Sequence, residues 1–130
     1  MGKTILYIDD DPDDRELLRK ELQDVEGSVL VEEVENGQKA LDFLLIAKNE
    51  MHLPCLIVLD LNMPVLDGRQ TFLRIKQDER LNKIPIVVFT SSQNPNDVAY
   101  FNQQGVQYIS KPMSTKQMKL IAQGLVHYCS

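Results

Sequence analysis

The chain has 130 residues and a formal charge of −5 at pH 7, with 43% hydrophobic and 25% charged residues. That length suits one core-bearing domain and is short for two, and the composition excludes wholesale disorder. Residues 1–35 hold twelve acids and four bases, while the remainder holds seven acids and ten bases; neither part carries the basic footprint of a nucleic-acid or membrane-surface binder. No apolar run approaches the ~20 residues of a membrane span, and the stretch after Lys3 is too short for a signal peptide. These features predict a cytoplasmic protein. Cys55 and Cys129 make neither a disulfide framework nor a close metal-ligand pair, and are expected as reduced thiols.

Short apolar runs alternate with amphipathic stretches along the chain. Residues 4–8 read as a strand that ends at three acids. Residues 12–25 read as a helix, with Leu17, Leu18, Leu22 and Val25 on one face, Asp11 as its N-cap and Pro12 at its first position. Residues 28–34 form a second strand, Asn36-Gly37 a turn, and Ala40, Leu41, Leu44 and Leu45 mark a second helix with a long exit. The runs 55–59 and 84–89 are nearly unbroken apolar, as strands buried on both faces are. Phe72, Leu73 and Ile75 mark the helix between them. Residues 94–104 make a fourth helix closed by Gly105, residues 106–110 a fifth strand, and residues 114–128 a last helix.

Five strand–helix units in strict alternation predict an α/β domain with a parallel five-stranded sheet covered on both faces. Ligands of such sheets bind beyond the carboxyl ends of the strands. Those ends carry Asp9-Asp10-Asp11, Asp60, Thr90-Ser91-Ser92 and Ser110-Lys111-Pro112. Two carboxylates about 4 Å apart repel by roughly 4 kcal/mol at an effective dielectric near 20. Three converging acids therefore call for a divalent cation, and all-oxygen ligation suits Mg²⁺. Lys111 adds a further positive charge. Asp11, Asp13 and Asp14 read as exposed helix-start acids.

The residues Ile8-Asp9-Asp10-Asp11-Pro12, Asp60-Leu61-Asn62-Met63-Pro64 with Leu66-Asp67-Gly68, Phe89-Thr90-Ser91 and Tyr108-Ile109-Ser110-Lys111-Pro112 fall in this order. In that joint pattern the chain resembles the receiver domains of two-component response regulators, of the stand-alone, chemotaxis-regulator type. The resemblance covers essentially residues 1–130 and implies a flavodoxin-like (βα)5 fold with strand order 2-1-3-4-5. It also implies a single receiver without an output domain, so that the signal leaves through the receiver surface. By the same resemblance Asp60 is the phosphoacceptor. Asp10 is a direct ligand of Mg²⁺ (or Mn²⁺ in its place) and Asp9 a ligand through water; Asn62 contributes its backbone carbonyl. Thr90 and Lys111 hold phosphoryl oxygens, and Tyr108 is the switch aromatic that moves with Thr90. Pro112 is a cis-proline, and Gly68 serves a tight turn.

The partners implied are a sensor histidine kinase or phosphotransfer protein, and a downstream target on the face of the fourth helix, fifth strand and fifth helix. A homodimer through that face is a further expectation; nucleic acid and membrane are not expected. Residues 45–53 lengthen the path between the second helix and third strand, as in phytochrome-associated regulators, and read as a longer helix or loop, with a partner or dimer contact as the alternative. Two alternatives stand beside this reading. One is an aspartate-nucleophile phosphohydrolase of haloacid-dehalogenase type, with Asp9 and Asp11 at the required spacing. The other is a degenerate receiver that serves only as a protein-binding module.

Overall fold

The computed structural model describes residues 3–130. Its elements follow one another as β1 (Lys3–Ile8), α1 (Pro12–Val25), β2 (Val29–Val34), α2 (Gly37–Glu50), β3 (Leu56–Leu59), α3 (Gly68–Lys76), β4 (Ile86–Thr90), α4 (Pro95–Gln103), β5 (Gln107–Ser110) and α5 (Thr115–Val126), with a short 3₁₀ turn at His127–Cys129. All strand pairs are parallel, in the order β2-β1-β3-β4-β5. This is the parallel sheet the alternation predicts, in the flavodoxin-like order the resemblance implies.

The apolar runs are unbroken because successive side chains serve two cores. Leu6, Ile8, Ile57, Leu59 and Val88 face a layer containing Ala40, Leu44, Phe72, Ile75 and Phe101 from α2, α3 and α4. Their neighbours Ile5, Tyr7, Leu56, Val58, Val87 and Phe89 face Leu18 and Leu22 of α1 and Met118, Ala122 and Leu125 of α5. A period of two along each strand thus feeds both faces at once.

Local signals set the helix ends. Asp11 Oδ1 accepts from the N–H groups of Asp13 and Asp14 and so caps α1. Asn36 caps α2, so Asn36-Gly37 is a helix start rather than a free turn. Asp67 and Gln70 form a reciprocal capping box on α3. Gly105, at φ 72°, closes α4, with Val106 N–H on the Phe101 carbonyl and Gly105 N–H on that of Asn102. The extended segment 45–53 is mostly helix: α2 runs to Glu50 and ends at Met51 in the left-handed region.

The structure corrects the expectation of two reduced thiols. Cys55, just before β3, and Cys129, in the 3₁₀ turn after α5, are joined by a disulfide with their Cα atoms 5.2 Å apart. Spacing along the chain hides this pair, because 74 residues separate its members. The fold brings them together by packing the 3₁₀ turn under the same core layer as β1 and β3.

Candidate functional site

The strand order reverses direction between β1 and β3, which opens a crevice at their carboxyl ends. Register places its residues. Ile8 pairs with Leu59, so Asp9 and Asp60 leave neighbouring strands side by side. The Asp60 N–H donates to the Ile8 carbonyl at 3.0 Å, and the Asp9 N–H to that of Val34 at 3.1 Å. Oxygen atoms of Asp9, Asp10 and Asp60 lie within 4.8 Å of one another. Asp9 and Asp60 are buried, and Asp10 is exposed at the mouth.

Each buried acid is held by donors. Asp9 Oδ2 accepts the Tyr7 hydroxyl at 2.7 Å, and its Oδ1 accepts the Asp11 N–H at 2.9 Å. Arg15 Nη1 donates to the Asp9 carbonyl at 2.7 Å. Asp60 Oδ1 accepts the Leu61 N–H at 2.7 Å. Burial, and then the Asp9 carboxylate, push the Tyr7 phenol far above its ordinary range, so it remains a donor.

Lys111 is the counter-charge. Its Nζ lies 2.7 Å from Asp9 Oδ2, 2.9 Å from Asp14 Oδ2 and 3.2 Å from Asp60 Oδ2. Burial works against the ammonium form, but hydrogen bonds to Asp14 and Asp9 and the charges of Asp60 and Asp9 outweigh it. The lysine stays above its usual range and fully charged at neutral pH. Asp14 is the member of this group that the sequence hides. It reads as an ordinary first-turn acid of α1, and only the packing of α1 against α5, which brings Asp14 to Lys111, shows otherwise.

Thr90 is buried at the end of β4, beside β3, and its Oγ1 accepts the Ser92 N–H at 3.2 Å. Tyr108 is half-buried on β5; its hydroxyl donates to the Ser92 carbonyl at 2.7 Å rather than into the acidic crevice. The two residues thus share one partner, the β4–α4 loop. Asn62 is exposed two residues after Asp60.

Two expectations change. No peptide bond among the described residues is cis, so the Lys111–Pro112 bond is trans. The trans form of an X–Pro bond is favoured by about 0.5–1 kcal/mol, and the Lys111 N–H bond to the Thr90 carbonyl, at 2.9 Å, is made with it. Gly68 answers to close approach rather than to a turn. A Cβ there would collide with the Asp60 carbonyl oxygen and lie 2.7 Å from Leu61 Cα. In the same loop Val65 takes the left-handed conformation at φ 68°, a strained choice for a β-branched residue.

The residue set also separates the alternatives. Asp11, the second acid of the hydrolase spacing, spends its carboxylate on capping α1. The chain is 31% identical over 127 residues to the probable methanogenesis regulatory protein FilR2 of Methanothrix harundinacea, covering 95% of this chain and 81% of that one. It is 32% identical to the response regulator Rcp1 of Synechocystis over 128 residues, covering 95% and 86% of the two chains. It spans about half (51%) of the response regulator Rre1 from the same organism. The phosphorylated cyanobacterial phytochrome response regulator RcpA superposes with a TM-score of 0.88 at 30% identity, over 99% of this chain and 94% of that one. The Mn²⁺-bound form of Rcp1 gives 0.83 at 33% identity, over 96% and 92%. The model of the response regulator receiver domain matches residues 5–123. Such domains carry signals in two-component phosphorelays, working with histidine kinases or phosphotransfer proteins, and are not enzymes in the ordinary sense. With its fold, its converging acids and nearly its whole length in agreement, the chain belongs to the response-regulator receiver-domain family.

Proposed function

We propose that residues 1–130 act as one receiver that accepts a phosphoryl group on Asp60 and signals through its own surface. The observation that carries this is Asp60 itself: a buried carboxylate at a strand end, two acids beside it and the Lys111 ammonium 3.2 Å away. In the transfer, a bond forms between an Asp60 carboxylate oxygen and phosphorus as the P–N bond of a partner's phosphohistidine breaks. The imidazole leaves with the electron pair and takes up a proton. Lys111 and Thr90 offer donors to the phosphoryl oxygens, which is where positioning and charge matter most in such transfers.

Three carboxylates against one ammonium leave a deficit of positive charge, and the donors are all oxygen; both fit a hard divalent cation. Asp10 and Asp60 directly, the Asn62 carbonyl, and Asp9 through water would hold Mg²⁺ or Mn²⁺, which supplies charge to the transferring phosphoryl group. The Mn²⁺-bound form of Rcp1 supports a divalent cation in this family. Loss of the phosphoryl group follows by attack of water at phosphorus, at a rate that Asn62 and Ser92, two residues past Asp60 and Thr90, influence.

The phosphoryl group adds about −1.5 to −2 charge. Thr90 then turns toward it, and the loop that Thr90 and Tyr108 share through Ser92 moves with it. The α4–β5–α5 face is the outlet, toward a downstream protein or a second copy of this chain. Leu120 on α5 is 61% exposed there. We place the protein in the cytoplasm, with a sensor histidine kinase or phosphotransfer protein as donor and with neither nucleic acid nor membrane as partner. No helix among the described residues is long and apolar enough to cross a membrane. Intact mass after acetyl phosphate and Mg²⁺ tests the reading: the chain gains one phosphoryl group and Asp60→Asn gains none. Equal labelling of both overturns it.

A further inference from the structure

Lys111 meets three carboxylates, and they are not equivalent. Asp9 and Asp60 belong to the group of acids that can share a cation; Asp14 does not. Asp14 comes from the first turn of α1, with its side chain about one third exposed, while Lys111 is 14% exposed. An ammonium has three donors, and the three acids all lie within 3.2 Å of it. A cation seated among Asp9, Asp10 and Asp60 competes with Lys111 for two of these acids. Asp14 is the one carboxylate that Lys111 can keep.

We propose that Asp14 is a positioning residue: it keeps the Lys111 ammonium at the α1 side of the crevice when a divalent cation takes Asp9 and Asp60, and so favours cation binding. The inference rests on the metal-assisted receiver reading above. Without Asp14, Lys111 is held by Asp9 and Asp60 alone and must be displaced from both. Asp14 thus couples to the cation through Lys111, and such coupling between two ligands of one group works equally in both directions.

The test is a titration of the full chain with Mn²⁺ alone, followed by tyrosine fluorescence or by calorimetry, with no phosphodonor present. Asp14→Asn is expected to weaken Mn²⁺ binding about fivefold, and Asp14→Glu to restore most of it. In the Lys111→Met background the Asn substitution at position 14 is expected to have less than about a twofold effect, because the group through which it acts is gone. Equal affinity of Asp14→Asn and the unmodified chain overturns the inference. An equal loss in both backgrounds also overturns it, since Asp14 would then act by its charge alone. Should Lys111→Met not fold, the contrast between the Asn and Glu variants still decides: failure of Glu to restore binding overturns the inference. An unmodified chain that does not take up Mn²⁺ at all overturns the metal-assisted reading itself and this inference with it.

Discussion

Arg69 of α3 clasps Asp97 of α4 with two parallel hydrogen bonds, Nε to Oδ1 at 2.7 Å and Nη2 to Oδ2 at 2.5 Å. Asp97 also accepts the Ser92 hydroxyl at 3.4 Å, and Ser92 in turn offers its carbonyl to Tyr108. One fork therefore ties α3 and α4 to the loop shared by Thr90 and Tyr108.

Arg69→Ala leaves a nearly buried carboxylate without its main partner. Arg69 is itself 37% exposed, so solvent screens the pair. A loss of about 1–2 kcal/mol in urea unfolding is expected. The arginine, then the Ser92 hydroxyl, hold the Asp97 carboxyl below its usual range. Its contribution is therefore fully present above the unfolded carboxylate value near 3.9 and fades as pH falls through the lower folded value. Asp97→Asn should show a flatter loss of stability on that acid limb.

Two glycines should respond in opposite directions to alanine. At Gly68 the new methyl meets the backbone of Asp60 and Leu61, which cannot turn aside. Gly68→Ala should cost about 1–3 kcal/mol and slow phosphorylation by acetyl phosphate. Gly124 lies exposed within α5 with nothing within 4 Å of a built Cβ. Gly124→Ala should stabilise by about 0.5–1 kcal/mol. Thermal unfolding of the pair checks both signs.

Reduction of the Cys55–Cys129 bond should lower stability by about 2–4 kcal/mol, because it frees a long loop in the unfolded chain. Urea titrations with and without a phosphine reductant measure the loss. A mass gain of two hydrogens confirms reduction. Cys129→Ser should match the reduced protein and be insensitive to reductant.

Tyr7 should give the protein an alkaline weakness. Its phenol is raised in the folded state, so its contribution is present below the unfolded value near pH 10 and is lost as pH rises toward the folded one. Tyr7→Phe gives up one buried hydrogen bond, about 1 kcal/mol, and should show a shallower decline above pH 10 than the unmodified chain. The Tyr7 phenolate should appear in the absorbance of the unmodified chain only as the chain unfolds.

Most of this architecture is legible in the sequence, for identifiable reasons. Asp9, Asp60, Thr90 and Lys111 stand at strand ends, and the alternation of elements alone brings strand ends to one side of the sheet. Helix starts were equally plain at Asp11-Pro12, since capping is a local matter. Ile84 and Pro85, by contrast, lie before β4 rather than in it, because Ile84 turns back to bond the Leu81 carbonyl. Asp14 and the cysteine pair were hidden for another reason. Each depends on how α1 or the end of α5 is set against distant strands, and neither helix carries that information within its own pattern. At Pro112 the motif points the other way, to a cis bond, whereas the Lys111–Pro112 bond is trans.

The disulfide also has a mechanical meaning. Cys55 precedes β3 and Asp60 follows it, so this four-residue strand carries a covalent anchor at one end and the buried acid at the other. Through Cys129 the anchor grips the far end of α5, while the near end of α5 follows Lys111 by only a few residues. The far end of α5 is thus tied covalently to the strand that leads to Asp60, while its near end follows the lysine that faces Asp60. Reduction would leave that end of the helix held only by the packing of Cys129 in the core layer.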